Sequence, residues 1–202
     1  MDEQALIQDA LNGNLDAFNG LVLHYQDIVY NVAYRVMGEH GAASDACQEA
    51  FISAYQKLHQ YRGGSFKSWL LRIATNACYD ELRRRQRQPV TPLMPELDDG
   101  ETLEDPYWIE DDQASPEEQT EQAELEKAIQ HCISKLEEKF RTILVLVDIE
   151  GMDYETASDI ASTPLGTVKS RLARARSRVQ NCLQGFWELL PEIFRLKSED
   201  ER

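Results

Sequence analysis

Apolar residues recur every three or four positions along most of this chain, which is the spacing of α-helices that bury one face. One such pattern follows Asp16, the expected N-cap, and runs to Val36 before Gly38 interrupts it. A second helix is expected from about Ala43 to Leu58. No segment shows a convincing strand pattern, so the fold class is expected to be all-α.

A third helix is expected after the loop at residues 60–65. Ser65 can cap it, because a serine side chain accepts a hydrogen bond from the free N–H groups of a first helical turn. The helix should end near Arg87, since Pro89 cannot continue it. Residues 1–88 are therefore expected to form one small helical domain.

The acidic charge of the chain is concentrated in its middle. The net charge is −15, yet residues 89–126 hold 14 acidic residues and no Lys or Arg, whereas the segments on either side are almost neutral. Residues 89–122 also contain five prolines and little apolar periodicity. This segment is expected to be a flexible acidic linker between two small helical domains.

The second domain is expected over residues 123–184. Asp153 can cap a short helix, and after the turn at 162–164 another helix should begin with Thr163 as its N-cap and Pro164 at its first position. This arrangement, with a basic outer face on the second helix, indicates a helix-turn-helix. Residues 185–202 form an apolar-rich tail that should either pack back on this domain or bind a partner.

The second helix of the motif has a surface suited to duplex DNA. Cations and polar residues are expected opposite an apolar stripe, and such a helix fits the major groove, with its side chains at base edges and phosphates. The alternative is a solvated cationic face on an ordinary helix bundle. Five cations with no acid among them, from Lys169 to Arg178, favour contact with DNA.

Aromatic residues beside cations indicate a second nucleic-acid surface. The segment from Tyr61 to Arg87 joins an aromatic, glycine-containing loop to a helix with Trp69, Tyr79 and a terminal arginine cluster. Single-stranded nucleic acid stacks its bases on rings and pairs its phosphates with cations. The alternative is that Trp69 belongs to the core and that the arginines form a solvated helix end. Composition does not decide between these interpretations.

The sequence lacks the marks of export, membrane insertion and a disulfide framework. Its N-terminus is acidic, its apolar runs are short, and Cys47, Cys78, Cys132 and Cys182 are far apart with no C-x-x-C pair. We therefore expect a soluble cytoplasmic protein without direct membrane insertion, in which the four cysteines are buried free thiols.

Catalysis has little support in the sequence. The chain lacks P-loop, H-E-x-x-H and G-x-S-x-G motifs, and its four histidines show no partner pattern. Its carboxylates concentrate in the linker, where no rigid frame would position them. We expect a binding protein with no catalytic residues, metal or cofactor.

Three motifs carry a resemblance to a known family. They are SDACQEAF at residues 44–51, FKSWLLRIATN at 66–76 with an arginine cluster after it, and YETA at 154–157 with GTVKSRLARAR at 166–176. In order, they resemble the polymerase-binding helix, the promoter-melting segment and the recognition helix-turn-helix of extracytoplasmic-function (ECF, group four) sigma factors of the sigma-E type. The resemblance covers about residues 5–87 and 122–183.

The resemblance implies a transcription initiation factor that binds core RNA polymerase, at the largest-subunit clamp helices and the flap region, and directs it to promoter DNA. It implies core polymerase binding by Asp45, Gln48, Glu49, Phe51 and Ile52. It implies minus-ten DNA binding by Tyr61, Arg62, Ser65, Phe66, Lys67, Trp69, Arg72, Asn76, Tyr79, Arg83, Arg84 and Arg87. It implies minus-thirty-five DNA binding by Thr167, Lys169, Ser170, Arg171, Arg174, Arg176 and Arg178.

The resemblance also implies control by an anti-sigma factor and a stress or envelope-response regulon. The acidic linker is then a candidate polyanion for the positively charged channels of polymerase. The loop at 62–65 is shorter than in many relatives, which leaves open the residue that reads a flipped base. A helix-turn-helix regulator independent of polymerase is the alternative, although it gives the first domain no role. A nucleic-acid enzyme would need rigid metal or acid–base sites that are missing from the sequence.

Overall fold

The computed structural model describes residues 2–87 and 116–190, with side chains described over 2–85 and 122–190. Every regular element in these ranges is helical, which confirms the all-α prediction. The helices are α1 (Glu3–Leu11), α2 (Leu15–Met37), α3 (His40–Lys57), α4 (Phe66–Arg87), α5 (Pro116–Ser134), α6 (Glu138–Leu144), α7 (Tyr154–Ile160) and α8 (Leu165–Leu183). Helices α1–α4 form the first module and α5–α8 the second.

The first module is built around α2, whose start differs from the prediction. Asn14, not Asp16, is the N-cap, because its side chain accepts hydrogen bonds from the backbone N–H of Asp16 (3.0 Å) and Ala17 (3.2 Å). Helix α1 was not predicted. It is short and buries only Ile7 and Ala10 completely, which gives it a weak periodic signal.

Helix α3 packs closely between its neighbours because its buried face is made of alanine. Its buried residues, Ala42, Ala43, Ala46, Ala50 and Ala54, are each at most 3% exposed. Small side chains allow α2 and α4 to approach its backbone, and Phe66, Leu70 and Leu71 of α4 fill the rest of the core. The tight packing fixes the outer face of α3 relative to α4.

The second module begins earlier than predicted. Helix α5 starts at Pro116, inside the segment expected to be a linker. Proline suits the first turn of a helix, because its missing N–H would have no intrahelical partner there. Residues 88–115 lie outside the described ranges, and they include the rest of the segment predicted to be a linker.

The four-cysteine prediction is wrong for one pair. Cys132 of α5 and Cys182 of α8 are joined by a disulfide with a Cα–Cα distance of 5.7 Å, whereas Cys47 and Cys78 are free. Sequence spacing gave no sign of the bond, because fifty positions separate the two cysteines and only the packing of α5 on α8 brings them together.

The start of the tail packs on the second module, as one of the two alternatives expected. A 3₁₀ segment, Gln184–Leu189, follows α8, and the Phe186 ring meets His131 edge-on at 5.7 Å between centroids. Residues 191–202 lie outside the described ranges.

The two modules are in contact through the end of α2. The Arg141 guanidinium donates hydrogen bonds to the backbone oxygen of Val36 in α2 and to the backbone oxygens of Ser134 (2.5 Å) and Leu136 (2.8 Å). Arg141 therefore ties the ends of α2 and α5 together. Burial lowers the pKa of this guanidinium.

A second polar contact lies beside it. The Gln130 amide oxygen accepts a hydrogen bond from Arg35 (3.2 Å), and its nitrogen donates to the backbone oxygen of Tyr34 (3.4 Å).

Across the two described ranges, no helix is long and apolar enough to cross a membrane.

Candidate nucleic-acid and partner interfaces

The outer face of α3 carries most of the predicted polymerase-binding residues. Asp45, Gln48, Glu49 and Ile52 are exposed, and the Ile52 side chain keeps roughly half of its surface (52%) in solvent. Phe51 differs from them because it is half-buried and packs against the core. The result is a polar, acidic face with an exposed apolar residue, a composition that suits a basic partner surface with an apolar contact at its centre.

A groove of about 450 Å³ separates this face from α4. Asp45 and Glu49 line it from α3, and Asn76, Asp80 and Arg84 line it from α4. Because the groove carries more carboxylates than cations, it favours a positively charged partner and disfavours a phosphate. Asn76 therefore stands at the boundary between the acidic face and the nucleic-acid face predicted on α4.

The loop before α4 is held by an aromatic cluster. The Tyr61 hydroxyl donates a hydrogen bond to the backbone oxygen of Gly64 (2.6 Å), and the Tyr61 ring meets Phe66 and Trp69 at centroid distances of 5.4 and 5.5 Å. Gly63 and Gly64 both have φ of +91°, a backbone conformation that glycine adopts at little cost. The cluster thus fixes a tight loop whose Arg62 is exposed.

Helix α4 begins directly after Ser65, as predicted. The Ser65 hydroxyl accepts a hydrogen bond from the backbone N–H of Ser68 (3.2 Å), which confirms Ser65 as the cap. Phe66 requires a correction. Its side chain is 1% exposed and lies in the core, so it cannot reach a base from this position. Lys67 and Trp69 are half-buried, so Trp69 serves the aromatic cluster and keeps part of its ring at the surface.

The arginines described at the end of α4 pair with carboxylates of the same helix, and Arg83 does so with Asp80 at 3.4 Å. Arg83 and Arg84 are exposed, but Arg84 and Arg85 both donate to the Glu81 carboxylate, at 2.7–2.9 Å. These hydrogen bonds lower the pKa of Glu81 to about 2. Arg85 also pairs with Glu39 and thereby clamps α4 to the start of α3. The prediction for Arg87 lies outside the described side chains.

The helix-turn-helix is formed by α7 and α8. Asp153 caps α7 as predicted, accepting a hydrogen bond from the backbone N–H of Thr156 (2.8 Å). The predicted cap of α8 was wrong by one position. The backbone oxygen of Pro164 accepts from Thr167 (2.8 Å), while the Thr163 hydroxyl donates to Ala161 (3.0 Å) instead of capping. Val168, Leu172 and Ala175 are buried at 2% exposure or less and fix α8 against α7.

The cations of α8 flank its outer face. Arg176 pairs with Asp148 at 2.6 Å, Arg178 pairs with Glu137 at 2.9 Å, and Arg171 is half-buried and donates to the Thr163 hydroxyl (3.2 Å). Lys169 lies over the Tyr154 ring at 5.9 Å. Exposed pairs of this kind contribute little to stability, so phosphates can compete for these cations.

Sequence analysis missed Ala173 and Ser177, two of the residues that lie at the centre of this face. With 3.6 residues per turn, the direction opposite the buried stripe is taken by Ser170, Ala173 and Ser177, with Arg174 beside them. Ala173, Arg174 and Ser177 are exposed. Small side chains let a helix approach a groove closely. A helical wheel drawn from the apolar positions Val168, Leu172 and Ala175 would have placed both residues on the opposite face.

Comparison with known proteins decides the family. Residues 21–88 match the family model "Sigma-70 region 2", and residues 126–179 match "Sigma-70, region 4". The chain is 37% identical over 188 residues to the RNA polymerase sigma-H factor of Pseudomonas aeruginosa, covering 90% of this chain and 94% of that protein. It is 34% identical over 185 residues to the ECF RNA polymerase sigma-E factor of Haemophilus influenzae, covering 91% of this chain and 96% of that one.

The chain belongs to the ECF sigma factor family. A solved structure of the sigma factor RpoE with the anti-sigma factor NepR from Bartonella quintana shares its fold. The TM-score is 0.61 at 23% identity, covering 83% of this chain and 96% of that chain.

In this sigma factor the α4 surface predicted to hold promoter DNA contacts the turn of the helix-turn-helix. Arg72 of α4 donates a hydrogen bond to the Ser162 hydroxyl in the turn of the helix-turn-helix (3.2 Å). Tyr79 is half-buried beside α6, and this burial raises the pKa of its hydroxyl. Arg72 and Asn76 are still exposed. The structure therefore brings the α4 face that is predicted to bind the minus-ten element against the second module.

The described residues of the sigma factor contain no cluster of three or more His, Cys, Asp or Glu side chains that could hold a metal ion. The cavity at the predicted sites is the open groove between α3 and α4.

Proposed function

We propose that this sigma factor docks on core RNA polymerase through the exposed face of α3 and binds promoter DNA through the α4 surface and α8. The observation that carries the proposal is the placement of three surfaces of different character on one chain. These surfaces are the acidic face of α3, the aromatic loop before α4 and the basic face of α8. The loop is held by the hydrogen bond from Tyr61 to Gly64, and the α8 face includes the Arg176–Asp148 pair.

Assembly with core RNA polymerase tests this proposal. The full chain should co-elute with the cognate core enzyme in a one-to-one complex that binds duplex promoter DNA, which neither component does alone with the same specificity. A helix-turn-helix regulator independent of polymerase would bind its DNA equally well without the core enzyme. That outcome would support the alternative.

The role is one of binding, without a reaction of its own, in the cytoplasm where transcription takes place. The regulon, which we propose to be a stress or envelope response, is set by the promoter sequence that α8 and the α4 loop select. The fold shared with the RpoE of the NepR complex supports an anti-sigma partner for this chain as well. Purification of the chain from its own cells should recover such a protein in stoichiometric amount under uninduced conditions.

Promoter binding requires the two modules to separate. The minus-ten and minus-thirty-five elements are, by their names, about 25 base pairs apart, or roughly 85 Å along B-DNA. In the structure Arg72, on the surface proposed for the minus-ten element, donates a hydrogen bond to Ser162 in the turn before α8. The segment from Arg87 to Pro116 can span at most roughly 100 Å when fully extended, which is sufficient for the separation.

Arg174 is expected to contribute a phosphate contact on the minus-thirty-five element. Arg174→Ala should weaken DNA binding several-fold on every sequence and reduce the slope of log affinity against log salt by about 0.9, the value for one lost phosphate contact. The measurement is fluorescence anisotropy on duplex DNA over a salt series. Lys135→Ala is the matched control, because it removes one exposed cation from the second module at a position outside the predicted DNA-binding residues. An unchanged slope in Arg174→Ala would remove Arg174 from the interface.

A further inference from the structure

The disulfide between Cys132 and Cys182 encloses the DNA-reading part of the molecule. The loop that it closes runs from the end of α5 through α6, α7 and almost all of α8. Every residue predicted to contact the minus-thirty-five element, from Thr167 to Arg178, lies inside this loop. The bond therefore fastens the C-terminal end of the recognition helix to α5.

The two sulfur-bearing residues are unequally accessible. Cys132 is 1% exposed and faces the core of the second module, whereas Cys182 is half-buried in the last turn of α8. The segment that follows Cys182 is anchored on the same helix α5 through the contact of Phe186 with His131. An oxidant from solvent would thus meet Cys182 first, with Cys132 already placed to complete the bond.

The other two cysteines, Cys47 and Cys78, lie where their thiols have low reactivity. Cys47 and Cys78 form no disulfide, and Cys78 is completely buried. Burial raises the pKa of the Cys47 thiol to about 11 and that of the Cys78 thiol to about 12, so both hold little reactive thiolate at neutral pH. Cys47 and Cys78 are therefore poor nucleophiles at neutral pH.

We propose that Cys132 and Cys182 are a reversible thiol–disulfide site that responds to hydroperoxides and stiffens the minus-thirty-five module when oxidised. The inference goes beyond the proposed function and rests on it in one respect, the reducing cytoplasm in which the chain is proposed to act. In a reducing compartment a disulfide is normally transient, so a pair held ready to bond acts as a reporter of oxidant.

The reaction balances with a hydroperoxide as the two-electron oxidant. The Cys182 thiolate attacks the hydroperoxide, breaks its O–O bond and forms a sulfenic acid, releasing an alcohol or water. The Cys132 sulfur then attacks the Cys182 sulfur, the S–S bond forms and the sulfenic oxygen leaves as water. A dithiol such as reduced thioredoxin restores both thiols by thiol–disulfide exchange, becoming a disulfide itself.

The test compares the full chain after treatment with hydrogen peroxide and after treatment with dithiothreitol. Oxidation should protect two of the four thiols from alkylation, as counted by mass spectrometry, and tryptic mapping should link the Cys132 and Cys182 peptides. The thermal midpoint of unfolding should be higher by roughly 10 °C in the oxidised form, because the bond closes a loop of about fifty residues. Addition of reduced thioredoxin should return both observables to those of the reduced form.

Two variants serve as matched controls. Cys182→Ser should lose both the protection and the thermal shift, and Cys47→Ser should keep both. Four alkylatable thiols after peroxide would overturn the proposal, as would a bond between any other pair. Persistence of the Cys132–Cys182 bond in reduced thioredoxin would equally overturn it, because the bond would then be a permanent structural link. The DNA-binding and polymerase assays of the proposed function are separate from these readouts.

Discussion

An engineered disulfide between positions 38 and 134 is expected to reduce promoter-dependent transcription at least tenfold, and reduction of the bond should restore it. Gly38 ends α2 and Ser134 ends α5, on opposite modules. A Cβ atom built on Gly38 would lie 3.6 Å from the Cβ atom of Ser134, within the range of natural disulfides. The bond would hold the modules in the arrangement where Arg72 meets Ser162, and so keep the two DNA surfaces together.

The measurement is transcription by core enzyme with G38C/S134C, oxidised and reduced, on one promoter. Neither position belongs to a predicted polymerase or DNA contact. Gly38→Cys alone is the matched control, since it carries the cost of a non-glycine residue at φ +79° without the cross-link. Because this variant keeps Cys132 and Cys182, it also controls for any effect of their oxidation under the same conditions. Equal transcription from the oxidised and reduced double variant would show that promoter binding does not require the modules to separate.

Reversal of charge on α3 is expected to weaken binding to core polymerase at least tenfold. Asp45 and Glu49 are exposed on the face predicted to dock on the polymerase clamp helices, and both line the groove beside α4. Replacing both with lysine places like charges against a basic partner surface, which costs affinity through repulsion and slows encounter. The affinity can be measured by competition with a fluorescently labelled wild-type chain for core enzyme.

The matched control makes the same change of net charge elsewhere. Asp9 and Asp27 are exposed on α1 and α2, away from the α3 face. D9K/D27K should bind core polymerase like the wild type, and both double variants should unfold at similar temperatures. If D45K/E49K bound as tightly as D9K/D27K, the α3 face would not be the docking surface.

The helices that bury a continuous stripe could be predicted from sequence, whereas their ends could be predicted only in part. Ser65 and Asp153 are caps as expected, and the starts of two other helices are not as expected. The apolar pattern of α2 and the run Val168, Leu172 and Ala175 in α8 reflect burial directly. Caps depend on a few backbone angles, so Asn14 was missed in favour of Asp16 and α8 begins one residue later than expected. The first turns of α5 have an acidic, polar composition that is equally typical of a linker.

The contacts between elements far apart in sequence could not be predicted at all. Arg141 is an ordinary cation in the sequence, and only the meeting of α2 with α5 gives it the carbonyl groups of Val36 and Ser134 to bind. The Cys132–Cys182 bond has the same origin. Phe66 lies within a motif that resembles a DNA-melting segment, and a motif does not distinguish a residue that contacts DNA from one that supports its neighbours.

We expect this chain to give core RNA polymerase a defined place to start transcription. The most direct test is transcription in vitro by the cognate core enzyme with and without this chain, on a library of genomic fragments, with the 5′ ends of the transcripts sequenced. We predict discrete start sites that appear only when the chain is present and that share two upstream sequence elements near positions minus ten and minus thirty-five. Transcripts with no preferred start in the presence of the active, inhibitor-free chain would contradict the account.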